Sequence, residues 1–496
     1  MNTATRIPVD RFRALFDPRG VLVAGASTHP GKFGFVALHN ILSCGYRGKV
    51  FATNRDGADV LGVQTVPDVA DLPDGEIDLV FVCTPASAHP DLLRACAKKG
   101  ITAAFVASAG YGEAGEGGRR IQDELVVLAE ELGILLSGPN GQGIVSTPAN
   151  LCAQIVAPYP PTGGIAIASQ SGNLVSSFQN YARLTGVGVS RAVSAGNAAA
   201  LGVPDYLEYF AADPASSVAL AYLEGIAEGE GRAVFERLRR VAEQMPVVLL
   251  KGGATAGGQR AAASHTGSLA TDDRVFDGVC RQAGGQRAAS VEQAFDIAAA
   301  FASQPLPRGN RVAVVTTAGG WGVLTADALS RSDLRLVDLP DDLRGAIDEE
   351  LPPRWSRNNP IDMAGGETRD TVPAVLDLVS AHSEVDAVLF LGMGIQSNQA
   401  SLMRDGPFWP DHGLERIAAY HERQDSRFAQ AAIEASERTG KPVLVATELA
   451  VSAPDNPGVA TLRAAGKLCH ASAERAVAAL DHLWRRSRWL QHRGLL

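Results

Sequence analysis

Short apolar runs alternate along the chain with longer segments whose apolar residues fall every three or four positions. Among the first 150 residues, the runs Gly20–Ala24, Lys49–Thr53, Ile77–Cys83, Thr102–Ala107 and Ile134–Ser137 predict strands. Between them, Phe33–Cys44, Pro90–Lys99 and Gly118–Leu132 carry the helical period. Strand, helix, strand in repetition predicts right-handed βαβ units around a buried parallel sheet. Residues 1–150 are therefore expected to form a Rossmann-like, doubly wound domain.

The same alternation resumes after the linker Pro158-Tyr159-Pro160-Pro161, defining a second domain over 160–303. Its predicted strands are Gly164–Ala168, Val187–Arg191, Ser217–Leu223 and Pro246–Leu250, with helices over Asn173–Leu184, Pro204–Ala212, Gly231–Gln244 and Asp272–Ala283. A second break, Gln304-Pro305-Leu306-Pro307, precedes a third domain over 309–496. Strands Arg311–Thr316, Ala387–Leu391 and Pro442–Thr447 alternate there with helices near Val323–Ser330, Thr371–Ser380, Ile417–Arg438 and Ala473–Arg486. The stretch Gln396–Glu415, with Met403, Phe408 and Trp409, reads as a surface excursion. Three α/β domains in tandem agree with the length, at roughly 150 residues per domain.

Composition narrows the function. With 46% hydrophobic and 20% charged residues the chain can build packed cores. A net charge of −9 argues against a nucleic-acid footprint, while leaving room for a local basic pocket. No run of about 18 apolar residues predicts a membrane span, and the charged start MNTATRIPVDRFRALF lacks a signal-peptide core. Cys44, Cys83, Cys96, Cys152, Cys280 and Cys469 form no C-x-x-C pair, and no histidine has H-E-x-x-H or H-x-H spacing. Free buried thiols, no metal site and a soluble, cytoplasmic protein are expected.

The first βα turn, Gly25-Ala26-Ser27-Thr28-His29-Pro30-Gly31-Lys32, places small residues and a helix N-terminus at the crevice of a parallel sheet, an arrangement that binds phosphate. It is not a P-loop, because Ala26 stands where the first glycine belongs and Phe33 where a hydroxyl is needed. It also lacks G-x-G-x-x-G, and the second strand ends in Thr53-Asn54-Arg55 in place of a ribose-binding acid. A cation there suits an adenosine carrying an extra phosphate, which NADP and coenzyme A share.

His265 lies in a small-residue loop, Gly252 to Ser268, that follows a strand and so falls at the carboxyl edge of the second sheet. Two neighbours lift it above an ordinary loop histidine. Ser169-Gln170-Ser171-Gly172, between a strand and a helix, forms an anion cradle. Glu224, just past an apolar strand, can hold one imidazole nitrogen and leave the other free as a nucleophile. A histidine, an orienting acid and an anion hole are what a transient phosphohistidine needs. Serine-hydrolase chemistry is less well served, since no G-x-S-x-G elbow occurs.

Read in order, Leu15-Phe16-Asp17-Pro18-Arg19 with Val23–Ser27, Ser108-Ala109-Gly110-Tyr111, Gly138-Pro139-Asn140, Ser169–Gly172, Tyr222-Leu223-Glu224-Gly225, Ser264-His265-Thr266-Gly267, Thr317-Ala318-Gly319-Gly320 and Asn359-Pro360-Ile361-Asp362 cover nearly the whole chain. This series resembles the alpha subunit, or alpha-type half, of the NDP-forming acyl-CoA synthetases, the ADP-forming acetate–CoA ligases related to succinyl-CoA synthetase. The resemblance implies a CoA-binding Rossmann-like domain followed by two flavodoxin-like domains. It also implies an acid–CoA ligase in which phosphate passes between nucleotide and carboxylate through His265, held by Glu224, by way of an acyl phosphate that the thiol of coenzyme A attacks.

On the same resemblance Gly25, Ala26 and Ser27 meet the phosphates of coenzyme A, with Asn54 and Arg55 near its adenosine. Thr84, Pro85 and Ala86, with Ser108, Ala109 and Gly110, line the same crevice. Ser169, Gln170, Ser171 and Gly172 hold the transferring phosphoryl group. The chain departs from the family at Gly141-Gln142, where Cys-Leu is usual, at Ala198-Ala199-Ala200, and at Asp56, where Lys is usual. ATP or ADP with Mg2+ is expected on an ATP-grasp beta-type subunit, giving a homo- or hetero-oligomer that acts on a small carboxylic acid. Two other readings are a non-catalytic CoA-binding regulatory or scaffold protein of the same fold and, more weakly, an NADP-dependent oxidoreductase.

Overall fold

Every run predicted as a strand overlaps one in the computed structural model, which describes residues 7–156, 158–226, 229–255, 257–258, 260, 272–363, 365 and 370–496. The chain forms two units. One runs to Arg183 and resumes over Gly188–Ala294; the other comprises Leu184–Val187 and Phe295–Leu496.

The first unit holds two sheets. Strands β1 (Gly20–Ala24), β2 (Lys49–Thr53), β5 (Leu79–Val82), β6 (Ala103–Val106) and β7 (Leu135–Ser137) are parallel in the order β2-β1-β5-β6-β7, with a ribbon of β3 (Asp59–Val60) and β4 (Val63–Gln64) beside them. β1, β5 and β6 are buried at every residue, which is why they read as unbroken apolar runs. The chain steps from β1 to one flank and then across to β5, so the crevice between the ends of β1 and β5 is the switch point.

The second sheet contains β8 (Gly143–Ser146), β9 (Leu151–Gln154), β10 (Thr162–Ser169), β11 (Val189–Ser194), β12 (Val218–Leu223), β13 (Val247–Lys251) and β14 (Gln286–Ala288), in the order β14-β13-β12-β10-β11-β8-β9. Its parallel part repeats the path of the first sheet, with a switch point between β10 and β12. The antiparallel hairpin β8–β9 extends it beyond β11. Gly143 permits that pairing: at φ 135° its Cα faces the Ala153 carbonyl so closely that a Cβ would stand 2.3 Å from the oxygen.

These two sheets are joined by specific contacts. Phe12 and Phe16 each stack on Tyr209, with ring centroids 4.9 and 5.1 Å away. The Ser137 and Tyr206 hydroxyls meet at 2.7 Å. The buried Arg191 guanidinium pairs with Asp213 at 2.9 Å and donates to the Phe16 carbonyl and to Ser146. Burial pushes the Asp213 carboxyl up, but the Arg191 hydrogen bonds and charge outweigh it and hold the group below its ordinary value.

In the second unit, β15 (Arg311–Thr316), β16 (Arg335–Leu336), β17 (Ile361–Asp362), β18 (Ala387–Leu391), β19 (Val443–Ala446) and β20 (Cys469–His470) trace the same path once more. β16 and β17 pair with successive parts of one edge of β15, and β18 lies on the other. The region Gln396–Glu415, expected as a surface excursion, is largely exposed and partly helical. It holds a helix, Ile395–Asp405, and the start of another, Leu414–Thr439. The Asp425 carboxylate accepts from the Gly394 and Ser397 N–H groups and so caps the first of them. Ala400 is buried while Leu402 and Phe408 are 69% and 65% exposed, so only one face of the segment packs.

All six cysteines are free, four buried and two, Cys44 and Cys83, half-buried. Burial pushes the Cys83 thiol up to about 12, which leaves it a poor nucleophile. No described helix is long and apolar enough to cross a membrane.

Candidate functional site

At the first switch point, β1 is followed by Gly25, whose φ of 86° turns the chain sharply away from the sheet. A Cβ on Gly25 would stand 2.9 Å from the Thr84 methyl, and one on Gly34 would stand 2.0 Å from the Gly25 carbonyl oxygen. Only glycine lets helix Phe33–Ser43 begin this close to the strand end. The Ala26 N–H donates to the Thr53 carbonyl at 2.8 Å, and the Asn54 amide donates to the Ala26 carbonyl at 2.8 Å. Asn54 thus braces the turn. Arg55 is exposed beside it, with no bonded partner among the described residues.

The opposite wall is Thr84-Pro85-Ala86, with Ser108-Ala109-Gly110 next to it. The Thr84 carbonyl accepts from Ser108 Oγ at 2.6 Å and from His89 Nε2 at 2.9 Å. Burial lowers the pKa of His89, which favours the neutral ring. Its proton then sits on Nε2, and Nδ1 accepts from the Tyr111 hydroxyl. This pair, which sequence reasoning passed over, ties the ends of β5 and β6 together. Nothing in the local pattern of His89 distinguishes it from a helix-start histidine. Thr84 Oγ1 is buried, with no hydrogen-bond partner among the described residues. Backbone N–H groups at a helix start and a nearby cation are the donors a phosphorylated ligand needs.

The second switch point has a different lining. Ser169, fully buried at the end of β10, donates from Oγ to the Ser171 carbonyl at 2.7 Å and accepts from the Ser171 N–H at 3.0 Å. Its hydroxyl therefore shapes the turn from inside. Helix Gly172–Thr185 starts directly after this turn. Gln170 Oε1 accepts the Glu224 N–H at 2.6 Å, bringing the β10 turn and the residue after β12 into contact. Glu224 is only 6% exposed, far from the solvated state of an ordinary loop acid. Tyr222 Oη lies 3.5 Å from its carboxylate, and burial first, then the Glu224 charge, pushes that phenol up to about 12. Gln142 reaches across the same helix start: its side-chain amide donates to Asn173 at 3.1 Å, and a Cβ on Gly172 would collide with it.

His265 lies outside the described residues. The structure does describe the strand that leads to its loop. Buried Lys251 closes β13 and donates from Nζ to the carbonyls of Gly252 and Gly253, at 3.1 and 3.4 Å. Asp273 stands 3.8 Å from it, and burial draws the ammonium below its usual value.

A cavity of about 280 Å3 opens beside Gln170. One wall is polar: Glu113 accepts from Asn197 Nδ2 and the Gly110 N–H, both at 2.5 Å, and Gln122 accepts from Asn197 at 2.9 Å. These bonds overcome the upward push of burial and hold the Glu113 carboxyl below its ordinary value. Arg119 and Glu230 also line the cavity, together with Val203, Pro204, Leu223, Ile226 and Val234.

Three family models match in the same order as the sheets. Residues 19–147 match a CoA binding domain, 162–301 a succinyl-CoA ligase-like flavodoxin domain and 312–394 a ligase-CoA domain. The chain is 34% identical to the alpha subunit of acetate–CoA ligase [ADP-forming] I of Pyrococcus furiosus, over 77% of this chain and 82% of that one. It is 35% identical to acetate–CoA ligase [ADP-forming] I of Archaeoglobus fulgidus, over 76% of this chain and 54% of that longer protein. The solved structure of the Ca. Korarchaeum cryptofilum dinucleotide-forming acetyl-coenzyme A synthetase 1 with phosphate and ADP superposes with a TM-score of 0.83. That match has 30% identity and covers 99% of this chain and 100% of the other.

Proposed function

The chain belongs to the alpha subunits of the ADP-forming acid–CoA ligases, and from that membership we propose a reaction path for its own residues. In the synthetic direction an imidazole nitrogen of His265 takes the terminal phosphoryl group of ATP: the N–P bond forms, the P–O bond breaks and ADP leaves. A carboxylate oxygen of the acid then takes the phosphoryl group from His265, giving an acyl phosphate. The thiol sulfur of coenzyme A attacks the acyl carbon, the thiol proton is released, and inorganic phosphate departs with the C–O bond electrons. The reverse sequence makes ATP from acyl-CoA, ADP and phosphate.

One observation carries this reading: the Ser169–Gly172 turn and buried Glu224 converge through a 2.6 Å hydrogen bond at the ends of adjacent strands. The first helix N–H groups of that turn offer partial positive charge to a phosphoryl group. Glu224 supplies the carboxylate that fixes the imidazole tautomer and favours the cationic ring left after transfer. The burial of Glu224 beside Gln170 weighs against the non-catalytic scaffold reading, since a buried acid is costly where it has no task.

Coenzyme A fits the first crevice. Gly25, Ala26 and Ser27 would face its phosphates, Arg55 would meet the charge near its adenosine, and Thr84 to Ala86 and Ser108 to Gly110 would flank it. Asn54 would contribute by bracing the turn. ATP or ADP with Mg2+ would be held mainly by an ATP-grasp beta-type subunit. The relative's designation as an alpha subunit, and the greater length of the Archaeoglobus protein, support a second component. The test is phosphorylation with labelled ATP, with and without that subunit. Acid-labile label should appear on the chain only with the partner and vanish in His265→Ala. Efficient labelling without the partner would remove the division of labour, and label persisting in His265→Ala would remove the relay.

A further inference from the structure

We propose that Lys251 is a positioning residue for the phosphoryl relay, its buried ammonium fixing both ends of the loop that carries His265 at one point near Glu224. This rests on the ligase reading above. Lys251 is the last residue of β13 and pairs in register with Leu223, the residue before Glu224. Its Nζ turns back on the departing chain and donates to the carbonyls of Gly252 and Gly253, at 3.1 and 3.4 Å. The Gly252 N–H donates in turn to the Leu223 carbonyl at 2.9 Å. A Cβ on Gly252 would stand 2.6 Å from the Tyr222 hydroxyl, which itself lies 3.5 Å from the Glu224 carboxylate. The chain therefore enters the loop directly against Tyr222.

The returning end reaches the same ammonium. Asp273, the first residue of helix Asp273–Ala283, stands 3.8 Å from Lys251 Nζ. Arg287, on the neighbouring strand β14, holds Asp273 as well, at 2.6 Å to its carboxylate and 3.2 Å to its carbonyl. The Phe276 ring lies against both cations, 5.7 Å from Nζ and 5.6 Å from the guanidinium. The Lys251 side chain is only 1% exposed, and a charge so placed is costly unless it is paired. Its partners show what the pairing serves. Two carbonyls and a carboxylate, all three belong to residues at the two ends of the loop. Phosphoryl transfer tolerates little displacement of the attacking nitrogen, since a misplacement of about 1 Å costs about 10²-fold in rate.

The holoenzyme, chain plus partner subunit, should be assayed by single-turnover transfer of label from ATP to His265. Lys251→Met keeps the apolar stem and removes the ammonium, so transfer should slow roughly 30-fold or more while the KM for coenzyme A stays within about twofold. Asp273→Asn releases the returning end alone and should slow transfer roughly three- to tenfold. Because the two residues form one link, the double variant should be no slower than Lys251→Met. The alkaline side of the pH profile separates positioning from packing. Burial draws the Lys251 ammonium below its ordinary value; Asp273 and Asp272 oppose that shift and Arg287 adds to it. Loss of the Asp273 charge should therefore move the alkaline fall in transfer to lower pH, and Lys251→Met should lack that fall. Transfer in Lys251→Met within about threefold of wild type would overturn the proposal, and so would an equal loss of coenzyme A binding, the mark of general damage. Should Lys251→Met not fold, Asp273→Asn decides, and an unmoved alkaline limb overturns the proposal. Amide hydrogen exchange at Gly252, Gly253 and the start of helix Asp273–Ala283 reads the clamp without turnover. Faster exchange in either variant supports it, and unchanged exchange rejects it. Wild-type holoenzyme without acid-labile label would instead reject the ligase reading, and exchange would still decide the clamp.

Discussion

The β10 turn and the β15 turn have the same internal hydrogen bonds and opposite surroundings. Thr316 closes β15 as Ser169 closes β10: its Oγ1 donates to the Ala318 carbonyl at 2.9 Å and accepts the Ala318 N–H at 3.0 Å. A helix starts at Gly319 as one starts at Gly172. What faces the helix start differs. A Cβ on Gly319 would stand 2.4 Å from an Asp362 carboxylate oxygen, whereas Gly172 is covered by the neutral Gln142 amide. A protein carboxylate at a helix N-terminus supplies the negative charge the helix favours and repels a second anion. The strand register sharpens the contrast. Ser169 pairs with Tyr222 and Thr316 with Leu391, so the residue two beyond the partner is Glu224 in the second sheet and Met393 in the third. One fold path thus carries a helix start covered by a neutral amide with an acid two residues beyond the partner position, and another covered by a carboxylate with a thioether there.

The largest effect should come from removing that acid. Glu224→Gln keeps shape and loses charge, and acyl-CoA formation should fall on the order of 10²–10⁴-fold. Melting temperature should change little. Activity within threefold of wild type would mean that the second turn differs from the third only in appearance.

Next is the conversion of one surrounding into the other. Gln142→Glu places a carboxylate over the Gly172 helix start, as Asp362 lies over Gly319. Coulomb repulsion over a few ångströms at intermediate dielectric is worth about 1–4 kcal/mol. The KM for phosphate in the ATP-forming direction should therefore rise roughly 5- to 1,000-fold, with coenzyme A binding unaltered. An unchanged phosphate KM would show that the anion does not sit at this helix.

Smaller again is loss of the turn hydroxyls. Ser169→Ala and Thr316→Val each remove a buried two-way hydrogen bond and should each cost about 1 kcal/mol of stability by denaturant titration. The pair separates in activity: Ser169→Ala should lose it tenfold or more as the cradle loosens, while Thr316→Val should retain it. Equal activity losses would merge the two turns into one functional class.

Much of this contrast was legible in the chain and part was not. The central strands announce themselves because both faces are buried, and the small-residue turns after β1, β10 and β15 follow directly from that. The edge strands β14, β16, β17 and β20 are two or three residues long and leave no periodicity to detect. Ser169, Gln170 and Glu224 could be singled out by position at strand ends. That Ser169 points into the turn, that Asn54 braces Ala26 and that Gln142 covers Gly172 depend on partners up to tens of residues away, which spacing does not encode. The same is true of Asp362, part of an Asn-Pro-Ile-Asp motif whose meaning appears only when β17 is laid beside β15.

The smallest effect, and the one that tests the carboxylate-covered turn itself, is Asp362→Asn. If this carboxylate serves the helix that begins at Gly319, its removal costs the charge–dipole term, about 0.3–1 kcal/mol, and the loss shrinks as salt screens it. Denaturant titrations of wild type and variant at low and high ionic strength measure that difference directly. Acyl-CoA formation should stay within twofold, because the anion it repels has no step at this turn. A tenfold loss of activity at unchanged stability would instead assign Asp362 to the reaction, and the third sheet would have to be counted among the parts that handle substrate.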